Sequence, residues 1–321
     1  MRMGNGNGMR WVRAAAAALA AAALAAAVAG CGGDEAGADG GQTAPATRTV
    51  THHMGVTEVP ADPRRVVVLD TGELDSAIAL GVAPVGAVES LPGEGLLDYL
   101  DDRVEGVEIV GTIEEPNLEA IAALRPDLIL SSALRHEAIY DRLSAIAPTV
   151  FTETVGVVWK DNLMVHAQAL GREERARELL AAYEERAAAL GARYGDDRPT
   201  VSVVRFLPGE TRIYLKDTFI GTILQDAGLP RPPAQDVHEF ALYPSGEQVG
   251  LMDGDVIFHS HYGPAEDTTE AAITGGRLWQ RLRAVRAGRV HEVPEGHWML
   301  GIGIGAAQLV LDDLERLLPA P

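Results

Sequence analysis

The feature that most restricts the fold is a repeated pairing of short, uninterrupted apolar runs with segments of helical spacing. Val66-Val67-Val68-Leu69 is followed by a helical stretch over residues 73–80 that stops at Gly81. Pro84-Val85-Gly86-Ala87-Val88 reads as a second strand. Asn117-Leu118-Glu119-Ala120-Ile121 opens another helix, and Pro126-Asp127-Leu128-Ile129-Leu130 is a buried strand, with a fourth at Pro148-Thr149-Val150-Phe151. Strands that are apolar at every position are covered on both faces. Alternated with helices, they predict a parallel α/β sheet.

Between residues 161 and 194 the pattern changes: proline is absent, Ala, Glu, Arg and Leu dominate, and Leu179, Leu180, Tyr183 and Leu190 recur at helical spacing. The run over 173–194 predicts a helix of about 33 Å at ~1.5 Å per residue. It spans too few heptads for a coiled coil. The alternation then resumes with a strand at 201–204, a short helix at 221–227 closed by Gly228 and a strand at 255–258. A helix at 278–285, a strand at 289–293 and an amphipathic helix at 306–318 finish the chain. The pattern alone predicts an α/β protein of two Rossmann-like lobes bridged by a single long helix. The first lobe covers 48–158, the connecting helix 159–195 and the second lobe 196–321.

With 321 residues, 47% hydrophobic and 23% charged, the chain has room for two domains and the profile of neither a disordered nor a membrane-embedded protein. A formal net charge of -19 excludes tracking along nucleic acid. Lysine occurs only at Lys160 and Lys216 amid abundant Arg, Ala and Gly, the bias of a GC-rich bacterial genome. Arg10 and Arg13 precede an apolar, mostly alanine stretch over 14–28, and small residues lead to Cys31. That is the layout of a secretory signal, shorter than the ~20 apolar residues of a membrane span. Cys31 is the only cysteine, so no intramolecular disulfide forms. Val28-Ala29-Gly30-Cys31 resembles the bacterial lipobox. The resemblance implies that 1–30 is removed and Cys31 is lipidated, its acyl chains anchoring the protein. The protein would be exported to the outer face of a Gram-positive-like cell membrane, or to the periplasmic side in a Gram-negative cell. Residues 31–47, rich in Gly, Ala, Asp and Thr, read as a flexible tether.

Four runs, taken in order, carry a wider likeness: PRRVVVLDTGELDSAIALGVAPVGAV, VGTIEEPNLEAIAALRPDLIL, DGDVIF and LRAVRAGRVHEVP. Over about residues 48–318 the chain resembles the solute-binding proteins of iron-siderophore and cobalamin ABC importers. The resemblance implies a rigid class III clamp, a monomer that holds a small metal chelate between its lobes. It would serve a permease and its ATPase, with no resident cofactor and no nucleic acid. The cargo implied is an Fe3+-siderophore complex. The segment VVRFLPGETRIYLKDTFIGTILQDAGLPRP is most similar to hydroxamate binders. Cobalamin and haem are the alternatives. Glu119 and Glu247 match the family's two permease-docking glutamates, one per lobe. Either carboxylate also suits a helix start, where the helix dipole favours it by ~0.3–1 kcal/mol.

A ferric chelate needs guanidinium donors for its oxygens and aromatic faces for its organic shell. Arg205, directly after the strand at 201–204, is the first candidate, with Arg212 and Tyr214 on the next segment. Tyr262 follows the strand at 255–258, and Trp159 and Trp298 are candidate stacking surfaces. His259 and His261 alternate as a metal pair would, but no further ligand cluster accompanies them, so no direct metal site is expected. His52 and His53 read as residues leading into the first strand. No catalytic motif is present: no Gly-x-Ser-x-Gly elbow, no His-Glu-x-x-His pair and no P-loop. A lipid-anchored enzyme is therefore the weaker reading, as is a surface interaction module with an empty cleft. Gly301-Ile302-Gly303-Ile304-Gly305-Ala306 mimics a dinucleotide fingerprint, but the acidic residue due ~20 positions later would fall past the last residue. It predicts instead a helix start that needs close backbone approach.

Overall fold

A computed structural model describes residues 46–90 and 92–320, so the expected signal segment, most of the tether and Cys31 lie outside the described residues. The body opens with an antiparallel hairpin, β1 (Thr47–His52) and β2 (Gly55–Pro60). It buries Val50 and Val59 and leaves most of its polar residues toward solvent. Apolar residues this sparse gave no strand signal, and His52 lies within β1 rather than ahead of a strand. The hairpin is fastened to the first sheet: His53 N donates to Phe151 O (3.0 Å), and Phe151 N to His52 Nδ1 (3.2 Å).

The apolar runs become β3 (Val66–Val68), β4 (Gly86–Glu89), β5 (Glu108–Thr112), β6 (Leu128–Ser132) and β7 (Thr149–Thr152). They pair in parallel in the order β5-β4-β3-β6-β7, reversing direction at β3 as doubly wound sheets do. Helices α1 (Thr71–Ala79), α2 (Leu118–Ala123), α3 (Ala133–His136) and α4 (Tyr140–Ser144) follow the strands. Asp70 caps α1 and Asn117 caps α2, whose side chain accepts from Glu119 N and Ala120 N.

The span 159–195 holds two helices, α5 (Trp159–Leu170) and α6 (Glu173–Ala192). The break falls at Gly171, which ends α5 in the left-handed conformation (φ 68°) that only glycine adopts without strain. The long bridging helix is thus α6, 20 residues and about 30 Å.

In the second lobe, β8 (Val201–Leu207), β9 (Glu210–Tyr214), β10 (Ala241–Leu242), β11 (Val256–His261) and β12 (Val290–Glu292) take the order β10-β9-β8-β11-β12. β8, β11 and β12 are parallel, and β9 and β10 add an antiparallel edge. Its helices are α7 (Phe219–Asp226), α8 (Glu270–Thr274), α9 (Arg283–Arg286) and α10 (Ile304–Leu317). The helix expected over 278–285 is split, because Leu282 is extended (ψ 144°) between a short 3-10 turn and α9.

One apolar core runs through both lobes. It joins Val68 and Leu130 of the first sheet, Trp159, Leu163, Tyr183 and Leu190 of the bridging helices, and Val203 and Phe258 of the second sheet. Lobes that share a core cannot hinge apart without opening it to water. A polar lock reinforces the junction. Asp75, buried on α1, accepts from Gly305 N and Ala306 N at the start of α10 (both 2.8 Å) and from Tyr99 Oη (2.6 Å). This explains the glycine run. A Cβ on Gly303 would fall 2.3 Å from an Asp75 oxygen, and one on Gly301 2.5 Å from Tyr99 Oη.

Candidate functional site

Parallel strands of an open α/β sheet end in loops on one edge, and those loops line a cavity of about 660 Å³ between the lobes. From the first lobe, the loops after β3 to β7 supply Thr71, Ser90, Ile113, Leu134, Arg135 and Thr154. From the second come Arg205, Arg212, Tyr214, Phe219, Phe240, Tyr262 and the segment 298–300 with Ile302. Leu134, Val157 and Phe240 combine high exposure with a place in the cavity lining, giving the mouth an apolar rim.

Arg205 lies within β8, not after it, and only 8% of it is exposed. Its Nη1 donates to Tyr214 Oη (3.0 Å), its Nη2 is bonded to Glu295, and its guanidinium lies 4.7 Å from the Tyr262 ring centre. Ser260 Oγ donates to the other Glu295 oxygen (2.5 Å). Burial pushes the Glu295 carboxyl up, against the pull of Arg205 and the hydrogen bond from Ser260. Arg205, Tyr214 and Tyr262 therefore form one preassembled wall. Arg212 is more open: Nε donates to Glu210 Oε1 (2.5 Å) and the guanidinium lies 5.9 Å from the Tyr243 ring.

The tryptophans do not offer stacking faces. Trp159 is outside the cleft, packed edge-on against Tyr183 and Phe219, with Nε1 donating to Thr222 Oγ1 (2.9 Å). A large apolar residue at a helix start was drawn into the shared core. Trp298 backs the cavity wall but is itself fully buried, its ring 4.8 Å from Phe258. Its Nε1 donates to Asp313 Oδ2 (2.9 Å), an atom also bonded to His297 Nε2 (2.8 Å). Burial opposes ionisation of Asp313, but hydrogen bonds from His297, Trp298 and Arg316 outweigh it and hold the carboxyl down to about 2. A carboxyl lowered on folding contributes stability that is present above its unfolded value and lost as pH falls. Acid unfolding between about pH 4 and pH 2 should therefore include an Asp313 component. Asp313→Asn should remove that component and lower stability at neutral pH by about 1–3 kcal/mol, as followed by denaturant unfolding at several pH values. An acid limb identical to the parent's would rule this out.

His259 and His261 do not line the cavity. They face Glu270 (3.4 Å) and Glu292 (3.3 Å) respectively, and burial lowers His259 while, against its own burial, His261 is raised by the Gly263 carbonyl and nearby glutamates. Among the described residues no three His, Cys, Asp or Glu side chains are arranged to hold a metal ion. Glu119 is exposed in the first turn of α2, on the wall of a groove that shares Glu114 and Arg135 with the cleft. Glu247 is exposed too, but in a turn ahead of the short 3-10 helix Val249–Met252 rather than at an α-helix start. No helix dipole accounts for its charge.

A cleft residue, Arg135, and the carboxylate behind Arg205, Glu295, escaped the sequence reading. Arg135 comes shortly after β6, the same strand-end signal that singled out Arg205, but its run Ala133–His136 reads as plain helix. Glu295 lies beyond β12, and only the tertiary fold carries it under Arg205.

Two α/β lobes on a shared helical core, with a preformed cleft at their strand ends, define a rigid-clamp solute-binding protein. The periplasmic binding protein family model matches residues 66–296, and the chain belongs to that family, which serves ferric siderophore ABC importers. It is 42% identical over 299 residues to the probable siderophore-binding lipoprotein YfiY of Bacillus subtilis (strain 168), covering 89% of this chain and 92% of that protein. It is 33% identical over 264 residues to the achromobactin-binding periplasmic protein of Dickeya dadantii (strain 3937), covering 79% and 86%. The crystal structure of Staphylococcus aureus SirA complexed with staphyloferrin B superposes with a TM-score of 0.76. It is 37% identical and covers 85% of this chain and 98% of that one. Relatives named as lipoproteins or periplasmic proteins accord with an exported, membrane-associated location.

Proposed function

We propose that the protein captures a ferric siderophore in the inter-lobe cleft and delivers it, as a monomer, to the permease of an ABC importer driven by its ATPase. The observation that carries this reading is the cleft itself: about 660 Å³, arginine and tyrosine on its walls, and an apolar rim. Donors for chelate oxygens and surface for an organic shell are both present. Arg205, Arg212, Tyr214 and Tyr262 are the proposed ligand-facing set, with Trp298 supporting it from behind. Family relatives that bind achromobactin and staphyloferrin B support a siderophore over cobalamin or haem. The hydroxamate reading rests on the likeness of one segment, residues 203–232. Native mass spectrometry of the protein isolated from iron-starved cells should reveal a co-purifying ferric chelate. Recovery of a corrinoid or haem in its place would overturn the reading.

Tethering at the membrane completes the proposal. Cys31 after Val28-Ala29-Gly30 is the expected acylation site. Cys31→Ala should shift the protein from the membrane pellet to the soluble fraction on cell fractionation. Retention at the parent level would exclude the lipid anchor.

A further inference from the structure

Resting on the siderophore reading, the geometry points to the class of chelate: we propose that the cleft selects a ferric chelate bearing free carboxylates, gripped by one guanidinium fork from each lobe.

Three arginines line the cleft, and they are not equivalent. Arg205 is committed, with both terminal nitrogens bonded to Tyr214 and Glu295 and its Nε buried. Arg135, on the first lobe, is held only through Nε, which donates to Asp70 Oδ2 at 2.8 Å. Arg212, on the second lobe, is likewise held through Nε by Glu210. Among the described residues the terminal nitrogens of Arg135 meet no protein acceptor, those of Arg212 have only the Tyr214 hydroxyl beside them, and none of the four is a buried, unsatisfied atom. Each guanidinium is therefore aimed by a carboxylate behind it and keeps its terminal edge accessible. The aiming is firm on the first lobe. Asp70 is fully buried, and its other oxygen caps α1 through Thr71 N (2.7 Å).

An accessible two-nitrogen edge matches the two oxygens of a carboxylate. A ferric trihydroxamate spends all its anionic oxygens on the metal and offers no such group. A tricatecholate likewise commits all its phenolate oxygens to the metal. Two acidic residues also line the cleft and limit where carboxylate arms lie. Asp217 is engaged by His238 Nδ1 (3.0 Å), and Glu114 stands at the margin shared with the neighbouring groove.

Tryptophan-fluorescence titration of the full mature chain tests this with four probes. They are the ferric dicitrate complex and ferric diethylenetriaminepentaacetate, each of which keeps a carboxylate off the metal, together with a linear ferric trihydroxamate and a ferric tricatecholate. At least one polycarboxylate chelate should bind at least ten-fold more tightly than the trihydroxamate and the tricatecholate. Arg135→Gln and Arg212→Gln should each narrow that preference by at least about five-fold, with Lys recovering part of it at either site. Equal or tighter binding of the trihydroxamate or tricatecholate would overturn the inference while leaving siderophore capture intact. So would glutamine variants that weaken all chelates alike. Binding of none of the four would remove the siderophore reading, and this inference with it.

Discussion

Arg205→Ala is expected to weaken ferric-chelate binding by about ten- to a hundred-fold, because it removes the brace that sets Tyr214 and Tyr262 in the cleft wall and each ~1.4 kcal/mol is a factor of ten. The same change should destabilise the fold by about 3–5 kcal/mol, because it strands a buried Glu295 without its cation. A strand-end arginine pointing into an open cleft would carry no such stability cost. The cost arises because β8 runs on to Leu207 and takes Arg205 into the sheet. Glu295→Gln added to Arg205→Ala should recover most of the stability and little of the affinity, a coupling that a double-mutant cycle isolates. The sign of the pH response is also fixed. A carboxyl raised on folding costs stability above its folded pKa, and the cost disappears as pH falls below its unfolded value. Burial already raises Glu295, and Arg205 restrains the rise. The single variant should therefore gain stability relative to the parent on mild acidification. Chelate titration and denaturant unfolding read both effects. An alanine variant as stable as the parent and with full affinity would remove Arg205 from the site.

Abolished uptake with intact capture is the expected result for Glu119→Ala combined with Glu247→Ala. Both carboxylates are exposed, and among the described residues neither has a hydrogen-bond or ion-pair partner. Solvated surface charges of this kind contribute little to stability, and Glu119 offers only the modest benefit of its place in the first turn of α2. Glu247 lacks even that, so its charge has no internal structural use. Docking against a permease, the role implied by the family resemblance, would give both a use, one contact per lobe. Because the lobes share a core, the spacing of the two glutamates is set by the fold and not by the ligand. Uptake of radiolabelled ferric chelate should fall by at least ten-fold in cells carrying only the double variant, while chelate affinity stays within about two-fold. Normal uptake would reduce both residues to solubilising charges.

The layout of strands and helices was legible in the residue pattern. Apolar runs on both faces of a strand have few ways to escape water, so β3, β6 and β7 in the first lobe and β8 and β11 in the second were legible from composition and spacing. The glycine run at 301–305 was likewise readable as a close approach, because only a missing Cβ explains such density. The hairpin β1–β2 was not, since two buried valines among polar residues gave no pattern. Tertiary structure decided the site. Which side chains meet in a cleft depends on strand register and on how two lobes face each other, and neither leaves a periodic trace. Thus Trp159, as plausible on paper as Tyr262, went into the core, while Glu295 came from 90 residues away to meet Arg205. Arg135 and Arg212 line one cavity only because elements of separate sheets meet there.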